Sequence, residues 1–397
     1  MVSSELERRL SETLRGLPGA SEEVETRARA AALDALAPRQ APTHLRRRLL
    51  TFVLAVLALF AVGAAALAAI GTIHVRLGET KKQLPAPHAR LSLPAGAHGF
   101  AVLAGGKLAF VTRAGFRMEG LPVTAAAVSP RALYVAVGIG HSLVVLAPDG
   151  RQMWIRRTRG PVVAAAWAPS GLQISYVVSR PRRAAALRLI EGDGDHDRLV
   201  DPSVSRVTPA WRADSLALAY VGVGGRGVVY DIGHEVRRVV GTHHCGRVSK
   251  VAFAPSGSAL ALLTTRRVVL AHGNGGSARC IGDQGMSRLS DVAWISRSEL
   301  VVSGVPARGR PSYVRRWLVR ARTLEAAGTA CTGRPVVALA AAPGGLGLAM
   351  ARATAAGAFD VRLLAADSEW GKCPRMRTAA PLVRVAGPAR LVRLAWR

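Results

Sequence analysis

Short apolar runs alternate with turn residues from residue 98 onward, and one such run recurs about every 40 residues. Each copy ends in an apolar residue that is often followed by a turn containing Pro or Gly. The equivalent end positions are Val128, Trp167, Trp211, Phe253, Trp294 and Ala341. Successive end positions lie 39, 44, 42, 41 and 47 residues apart. This is the period of a four-stranded propeller blade, so the pattern predicts an all-β β-propeller.

Within one repeat, Trp167 ends the inner strand, and the apolar runs Leu172–Val178 and Ala185–Ile190 are expected to form the next two strands. These runs are apolar at nearly every position. Strands are apolar on both faces when each face is covered by a neighbouring layer. We therefore expect the large residues at the inner-strand ends to fill the space between blades, namely Trp167, Trp211, Phe253, Trp294 and Trp396.

A further copy of the repeat is divided between the two ends of this region. Residues 390–396 match an inner segment, and three strand-like runs lie within residues 100–119 with no inner segment before them. Joining both ends in one blade leaves no terminal blade with an uncovered face. The sequence therefore predicts a seven-bladed β-propeller over residues 98–397, with about 43 residues in each blade.

The third repeat carries a recognisable motif. An apolar strand and an Asp-Gly turn at Asp193 precede the run Pro209-Ala-Trp-Arg-Ala-Asp-Ser-Leu-Ala-Leu-Ala-Tyr220. This order resembles the repeat of TolB-type, WD-repeat-like β-propellers, although Arg212-Ala213 stands where Ser-Pro is usual. The resemblance implies a binding scaffold in the cell envelope or an accessory domain of a larger protein. It supplies no catalytic residues, because such propellers serve many functions.

A run of 23 residues from Leu49 to Gly71 contains no charge, and Thr51 is its only polar side chain. A helix of this length spans roughly 34 Å, enough for a bilayer core of about 30 Å. We therefore expect a transmembrane anchor at residues 46–72, followed by a linker at residues 73–97. A cleaved signal peptide is the alternative, but the preceding segment is too long for a normal n-region.

Charge and cysteine placement predict the orientation. Arg46, Arg47 and Arg48 abut the apolar run, which favours a cytoplasmic N-terminus in the cell membrane. All four cysteines, Cys245, Cys280, Cys331 and Cys373, lie in the predicted propeller. An even number on one side of a membrane segment suits an oxidising, extracytoplasmic location. Adjacent blades favour Cys245 with Cys280 and Cys331 with Cys373, with four unpaired thiols as the alternative.

Residues 1–45 are expected to form a short cytoplasmic tail. Ser4 begins a capping box, and Leu6, Leu10 and Leu14 follow on one helical stripe before Pro18. A second helix is expected between Ser21 and Pro38. These helices carry too few large apolar residues to form a core, so they pack with a partner or stay partly ordered. Short tails of this kind resemble membrane-bound anti-sigma regulators, although that family's His and Cys cluster is absent.

The chain has 54 Lys and Arg against 25 Asp and Glu, a net charge of +29. Such a charge is the footprint of nucleic-acid binders, but here the arginines are scattered and no basic cluster is interleaved with aromatic residues. We therefore expect no nucleic-acid partner. Attraction to an anionic component of the cell envelope, such as lipid headgroups or acidic polymers, is the expected consequence.

Motifs for catalysis and metal binding are incomplete. Asp193–Asp197 resembles the start of a calcium loop but lacks the required Gly and the final Glu, so an outer turn explains it better. His243, His244 and Cys245 have no recognised zinc spacing. No Gly-x-Ser-x-Gly nucleophile elbow occurs. We therefore predict no catalytic residue, no cofactor and no metal site.

These observations predict a single-pass membrane protein that displays an extracytoplasmic propeller and acts as a protein- or ligand-binding scaffold rather than an enzyme. One alternative is a transmembrane signalling regulator whose propeller senses and whose tail engages a cytoplasmic factor. Another is a propeller enzyme, such as a lactonase or lyase, with a site at the channel mouth.

Overall fold

The structure, a computed structural model, describes most of residues 99–396. The positions left out are 105, 113–114, 120–121, 132, 148–149, 243, 283–285, 307–311, 321–322, 342–346, 354–358, 366–369, 371, 376–382 and 386–392. The predicted tail, the anchor with Arg46, Arg47 and Arg48, and the linker at residues 73–97 lie outside the described residues. Within the described part, no helix has the length and apolar character needed to cross a membrane.

Short strands form nearly all of the regular structure, because the apolar runs are short and end at turn residues. The described strands pair into seven sheets, numbered I to VII here. Sheet I contains β29 (Arg393–Trp396), β1 (Gly99–Ala104), β2 (Lys107–Thr112) and β3 (Gly115–Glu119). Sheet II contains β4 (Val123–Val128), β5 (Val135–Ile139), β6 (Ser142–Leu146) and β7 (Gln152–Arg157). Sheet III contains β8 (Val162–Trp167), β9 (Gln173–Arg180), β10 (Arg183–Glu191) and β11 (Arg198–Val204).

The remaining sheets follow the same order. Sheet IV contains β12 (Ala210–Trp211), β13 (Ala217–Val221), β14 (Gly227–Asp231) and β15 (Val236–Val239), with a 3₁₀ turn at Val223–Gly225. Sheet V contains β16 (Val248–Phe253), β17 (Ala259–Thr264), β18 (Arg267–His272) and β19 (Arg279–Gly282). Sheet VI contains β20 (Met286–Trp294), β21 (Glu299–Pro306), β22 (Tyr313–Arg320), β23 (Thr323–Cys331) and β27 (Lys372–Arg375). Sheet VII contains β24 (Val336–Ala341), β25 (Gly347–Ala353), β26 (Phe359–Ala365) and β28 (Val383–Val385).

The four repeated strands of each sheet are antiparallel, and we call them A to D in the order of the sheet. Six sheets are formed within residues 123–385, whereas sheet I joins the two ends of the region. In sheet I, Phe100 of β1 lies opposite Trp396 of β29, and Leu103 lies opposite Arg393. The all-β propeller predicted from the repeat is confirmed.

The hydrophobic core lies between neighbouring sheets. Leu187 and Leu189 of sheet III pack with Leu218 and Tyr220 of sheet IV, and all four side chains are buried. Every residue of β13 is buried, as expected for a strand covered on both faces. Each fully buried Leu contributes about 1.5–3 kcal/mol. The sheets therefore depend on their neighbours for much of their stability.

Tryptophan side chains at the end of strand A also form hydrogen bonds between sheets. The indole Nε1 of Trp167 donates to the Ala127 carbonyl at 3.1 Å, and Trp211 donates to Ala166 at 3.1 Å. Trp294 donates to Ala252 at 3.0 Å. Each acceptor is the next-to-last residue of strand A in the preceding sheet. We call this contact the indole latch. It satisfies a donor that would otherwise be buried unpaired.

Phe253 and Trp396 are the other two residues that the sequence predicts to fill the space between blades. Phe253 occupies the equivalent position in sheet V and is partly buried, but its ring has no donor for a latch. Trp396 lies on β29, and its side chain is outside the described part of the structure.

The carboxylate of Asp291 connects three neighbouring A strands at a position separate from the indole latches. It accepts hydrogen bonds from Lys250 of β16 and from the backbone amide of Leu339 of β24, the latter at 2.7 Å. The Asp291 side chain is almost fully buried. A buried carboxylate is stable only when it is paired and hydrogen-bonded, so this residue holds β16, β20 and β24 in register.

The structure contains the favoured disulfide between Cys245 and Cys280, with Cα atoms 5.7 Å apart. It joins the segment entering sheet V to the outermost strand of that sheet. Cys331 is also disulfide-bonded. It ends β23, which runs parallel to β27, the strand that carries Cys373. The sequence did not predict this fifth strand of sheet VI.

We expect removal of residues 390–397 to destabilise the fold strongly, because β1 would lose its antiparallel partner β29 and expose an unpaired edge. Loss of Trp396, which the sequence predicts to fill the space between blades, should add a cost of about 3–5 kcal/mol. Residues 98–389 should therefore be insoluble or melt roughly 10 °C below residues 98–397. Equal soluble yield and equal melting temperature would show that β29 is a dispensable tail.

Candidate functional site

The turns divide between two ends of the sheets, which we call the AB face and the BC face. The AB face carries the A-to-B and C-to-D turns, and the BC face carries the B-to-C turns and the connections from strand D to the next sheet. This division follows from the antiparallel order of the four strands.

Large apolar residues occupy one repeated position on the AB face. Tyr134, Leu172 and Leu216 each immediately precede strand B, in sheets II, III and IV. Their side chains are 36%, 71% and 56% exposed. We call these three residues the apolar stripe. The corresponding residues in sheets V and VI are Ser258 and Ser298. The stripe therefore belongs to three adjacent sheets and departs from the rest of the repeat.

The turns that present the stripe are connected to one another. Gly171 precedes Leu172 with φ +77°, and Ser215 precedes Leu216 with φ +63°, so both turns use the left-handed conformation. The amide of Ser170 donates to the hydroxyl of Ser215 at 2.9 Å, which links the turns of sheets III and IV. The stripe residues therefore stand on ordered turns.

A groove of about 960 Å³ lies on this face, and the stripe lines it. Its walls include the rings of Trp154 and Trp167. The Trp154 indole donates to the Gly192 carbonyl at 2.8 Å, which connects sheet II to the C-to-D turn of sheet III. Gly194 in the same turn has φ +99°, and a Cβ atom there would lie 3.0 Å from Cδ2 of Trp154. Glycine is therefore required for the turn to pack on the ring.

Carboxylates border the apolar part of the groove. The A-to-B and C-to-D turns of sheets III and IV, with their flanking residues, carry two arginines, Arg198 and Arg212, and these acidic residues: Glu191, Asp193, Asp195, Asp197, Asp214, Asp231 and Glu235. Glu191, Asp193 and Asp214 line the groove itself. Burial opposes ionisation of Asp214, but hydrogen bonds from Arg212 and the Leu216 amide prevail and lower its pKa. The groove is therefore apolar within and negatively charged at its edge.

This arrangement suits non-covalent binding. Among the residues that the structure describes, no group of three or more His, Cys, Asp or Glu side chains is placed to hold a metal ion. Cys245 is held in its disulfide. Residues 193–197 form the C-to-D turn of sheet III, as the sequence predicted, and the Asp195 amide donates to Asp193 Oδ1 at 3.0 Å. The Asp193 carboxylate therefore has a structural partner within the turn, the Asp195 amide.

Most residues selected from the sequence lie away from the groove. Trp167 lines it, but Trp211, Phe253 and Trp294 lie between sheets, and the disulfide-bonded residues Cys245, Cys280 and Cys331 do not line it. The stripe was not predicted. Its signal was present in the repeat, because Leu172 and Leu216 stand where Ser258 and Ser298 stand in later copies.

No protein-family model matches the sequence, and no curated protein matches it. Solved structures do match. The C-terminal WD40 domain of Sif2 superposes with a TM-score of 0.51 and 17% identity, covering 68% of this chain and 79% of that domain. The likeness shows that this chain has a β-propeller fold. Two further matches are hydrazine synthase of Kuenenia stuttgartiensis and TolB of Agrobacterium tumefaciens.

These two have TM-scores of 0.47 and 0.42 and identities of 15% and 16%. They cover 61% and 59% of this chain and 77% and 89% of their own chains. At such identities the likeness to the WD40 domain concerns the fold alone. The propeller resemblance inferred from the repeat residues is therefore confirmed at the level of the fold.

We expect Gly194→Ala to destabilise the groove more than a matched glycine substitution elsewhere. Gly140 also has a positive φ, +52°, but a Cβ atom there would meet nothing within 4 Å. Gly140→Ala should cost about 1 kcal/mol from backbone strain alone. Gly194→Ala should cost about 1–3 kcal/mol more, because the methyl group displaces Trp154. Urea unfolding and tryptophan emission measure both effects, and equal losses with unchanged emission would contradict the packing described.

Proposed function

We propose that this protein is a non-catalytic binding scaffold whose seven sheets close into one seven-bladed ring. Contacts between consecutive A strands run from β4 through β24 to β29, and β29 also contacts β4. A closed ring leaves no unpaired terminal sheet and holds all turns at fixed positions. Such a scaffold suits recognition of a partner by residues from several sheets at once.

The apolar stripe is the observation that supports protein binding. Leu172 and Leu216 are more than half exposed on ordered turns, whereas most of the described leucines are buried and the other exposed ones are Leu133 and Leu199. Exposed apolar groups clustered around a groove are typical of protein-binding surfaces. Burying one such leucine against a partner contributes about 1.5–3 kcal/mol to binding. The stripe is therefore expected to act as a binding hot spot.

The acidic border of the groove defines the chemistry of the partner. Glu191, Asp193 and Asp214 lie beside apolar walls, so the complementary segment carries an apolar anchor flanked by Lys or Arg. The apolar anchor supplies affinity, and the charges supply orientation and association rate. We propose that this segment belongs to a protein of the same compartment.

Membrane attachment is part of the proposal and rests on the sequence. The uncharged run of 23 residues from Leu49 to Gly71 is long enough to span a bilayer. Arg46, Arg47 and Arg48 favour a cytoplasmic N-terminus, and the disulfide suits an oxidising compartment. The proposed protein therefore displays its propeller outside the cytoplasm. Residues 1–45 remain available to a cytoplasmic factor if the scaffold also signals.

We expect a photo-crosslinking residue at position 172 or 216 to capture one discrete partner in cells of the native host. The matched control is the same residue at position 258, which has the equivalent place in sheet V. The product at position 172 should disappear when Leu216→Asp is added, because the charge disrupts the apolar contact. Equal products at positions 172 and 258, or persistence with Leu216→Asp, would contradict binding at the stripe.

The topology has its own test. A C-terminal alkaline phosphatase fusion should be active in cells, because the enzyme requires the disulfides that form outside the cytoplasm. A cytoplasmic reporter at the same position should be inactive. The opposite pattern would overturn the proposed extracytoplasmic location and leave the binding groove untouched.

A further inference from the structure

The BC face has a charge pattern unlike that of the AB face. Its described turns and connections contain no aspartate or glutamate and seven arginines: Arg159, Arg182, Arg206, Arg226, Arg247, Arg266 and Arg334. All seven are exposed. None of their guanidinium groups forms a hydrogen bond or salt bridge with another residue within the described part of the structure. By contrast, Arg212 on the AB face is paired with Asp214.

One concave site begins at this face and extends along the outer strands to Asp197 in the C-to-D turn of sheet III. A groove of about 870 Å³ between the outer strands of sheets II and III is lined by six arginines and one carboxylate, Asp197. It is bordered by the connection at Thr158 and Arg159 and by the turn from Arg180 to Arg183. We call it the arginine groove. It carries a net charge of about +5, from six arginines less one aspartate.

The negative charge of Asp197 offsets only the arginines at the base of the groove, Arg188 and Arg156. Arg188 donates to its carboxylate at 2.8 Å, Arg156 at 3.1 Å and the Tyr176 hydroxyl at 2.7 Å. The Asp197 side chain is 5% exposed. Burial opposes its ionisation, but the bonds from Arg188 and Tyr176 outweigh burial and lower its pKa. The polar groups at the base of the groove are therefore ordered by hydrogen bonds to one another.

Arg180 donates to the Ala184 carbonyl at 2.8 Å, whereas the other three arginines of the groove have no such partner. Arg157, Arg159 and Arg183 are exposed, and none makes a side-chain hydrogen bond or salt bridge with another described residue. Three guanidinium groups with like charge repel one another, which destabilises the free protein unless an anion binds among them. The guanidinium fork matches phosphate oxygens in a bidentate manner.

We propose that the arginine groove binds a linear, phosphate-bearing polymer, one segment of which lies between sheets II and III. The repeated phosphates would contact Arg157, Arg159 and Arg183 in turn. A flat bilayer fits a concave site poorly. Single-stranded nucleic acid uses exposed aromatic rings for stacking, whereas the groove's only aromatic residue, Tyr176, is fully buried. This surface is separate from the apolar stripe, and the inference stands without the proposed protein partner.

The test uses the full-length protein and a short linear polyphosphate as probe. Arg157→Gln, Arg159→Gln and Arg183→Gln are combined in one variant. The matched control combines Arg226→Gln, Arg247→Gln and Arg266→Gln, which removes the same charge from the same face outside the groove. We expect the groove variant to bind at least about tenfold more weakly, and the slope of log Kd against log salt to fall by about two to three. The control should lose much less affinity and keep its salt dependence.

A second measurement does not depend on the variants folding. Phenylglyoxal modifies accessible arginines, and peptide mass mapping of the wild-type protein reports each position. Polyphosphate should protect Arg157, Arg159 and Arg183 while Arg226, Arg247 and Arg266 stay reactive. Protection of all six, or equal affinity loss in both variants, would show diffuse charge attraction and overturn the site.

Two further probes distinguish other ligands. Vesicles containing phosphatidylglycerol should bind more weakly than polyphosphate, and so should a single-stranded oligonucleotide of similar charge. Tighter binding of the vesicles would show that the face recognises a lipid surface. Tighter binding of the oligonucleotide would show a nucleic-acid site. Either result, or no binding of polyphosphate, would overturn the proposal.

Discussion

The contact between adjacent A strands is the constraint on which the rest of the structure depends. Three indole latches repeat at one level, where Trp167, Trp211 and Trp294 reach the preceding sheet. Asp291 ties three A strands at another level. Because the core lies between sheets, a single sheet has no complete core of its own. Each blade is therefore stable only when its neighbours hold it.

This constraint gives the protein two surfaces that differ in chemistry. Fixed sheets place every A-to-B turn at one end, so a change at one repeated position becomes a continuous patch, as Tyr134, Leu172 and Leu216 show. At the other end the same geometry gathers arginines that are scattered in the sequence. Unpaired like charges and exposed leucines both cost stability. Their placement on opposite faces is consistent with two separate binding roles.

The sequence predicted the repeated elements well, because strand periodicity and turn residues are local. The expected strands at Leu172–Val178 and Ala185–Ile190 correspond to β9 and β10, and Trp167 ends its strand as expected. The charge of the AB and BC faces could not be predicted in the same way. Their charge depends on which end of each strand a residue occupies, and Arg206 and Arg266 look unrelated along the chain. The parallel pairing of β27 with β23 is likewise non-local, since it joins segments about 40 residues apart.

Native-state hydrogen exchange tests the closed ring most directly. In a closed ring, each sheet is covered on both sides, so the central strands should lose protection together as denaturant rises. Peptides containing β1 and β29 should then have the same free energy of opening as peptides containing β8 and β9. An open array would fray from its ends. Loss of protection in β1 and β29 at clearly lower denaturant than in β8 would contradict the closed, mutually supported ring.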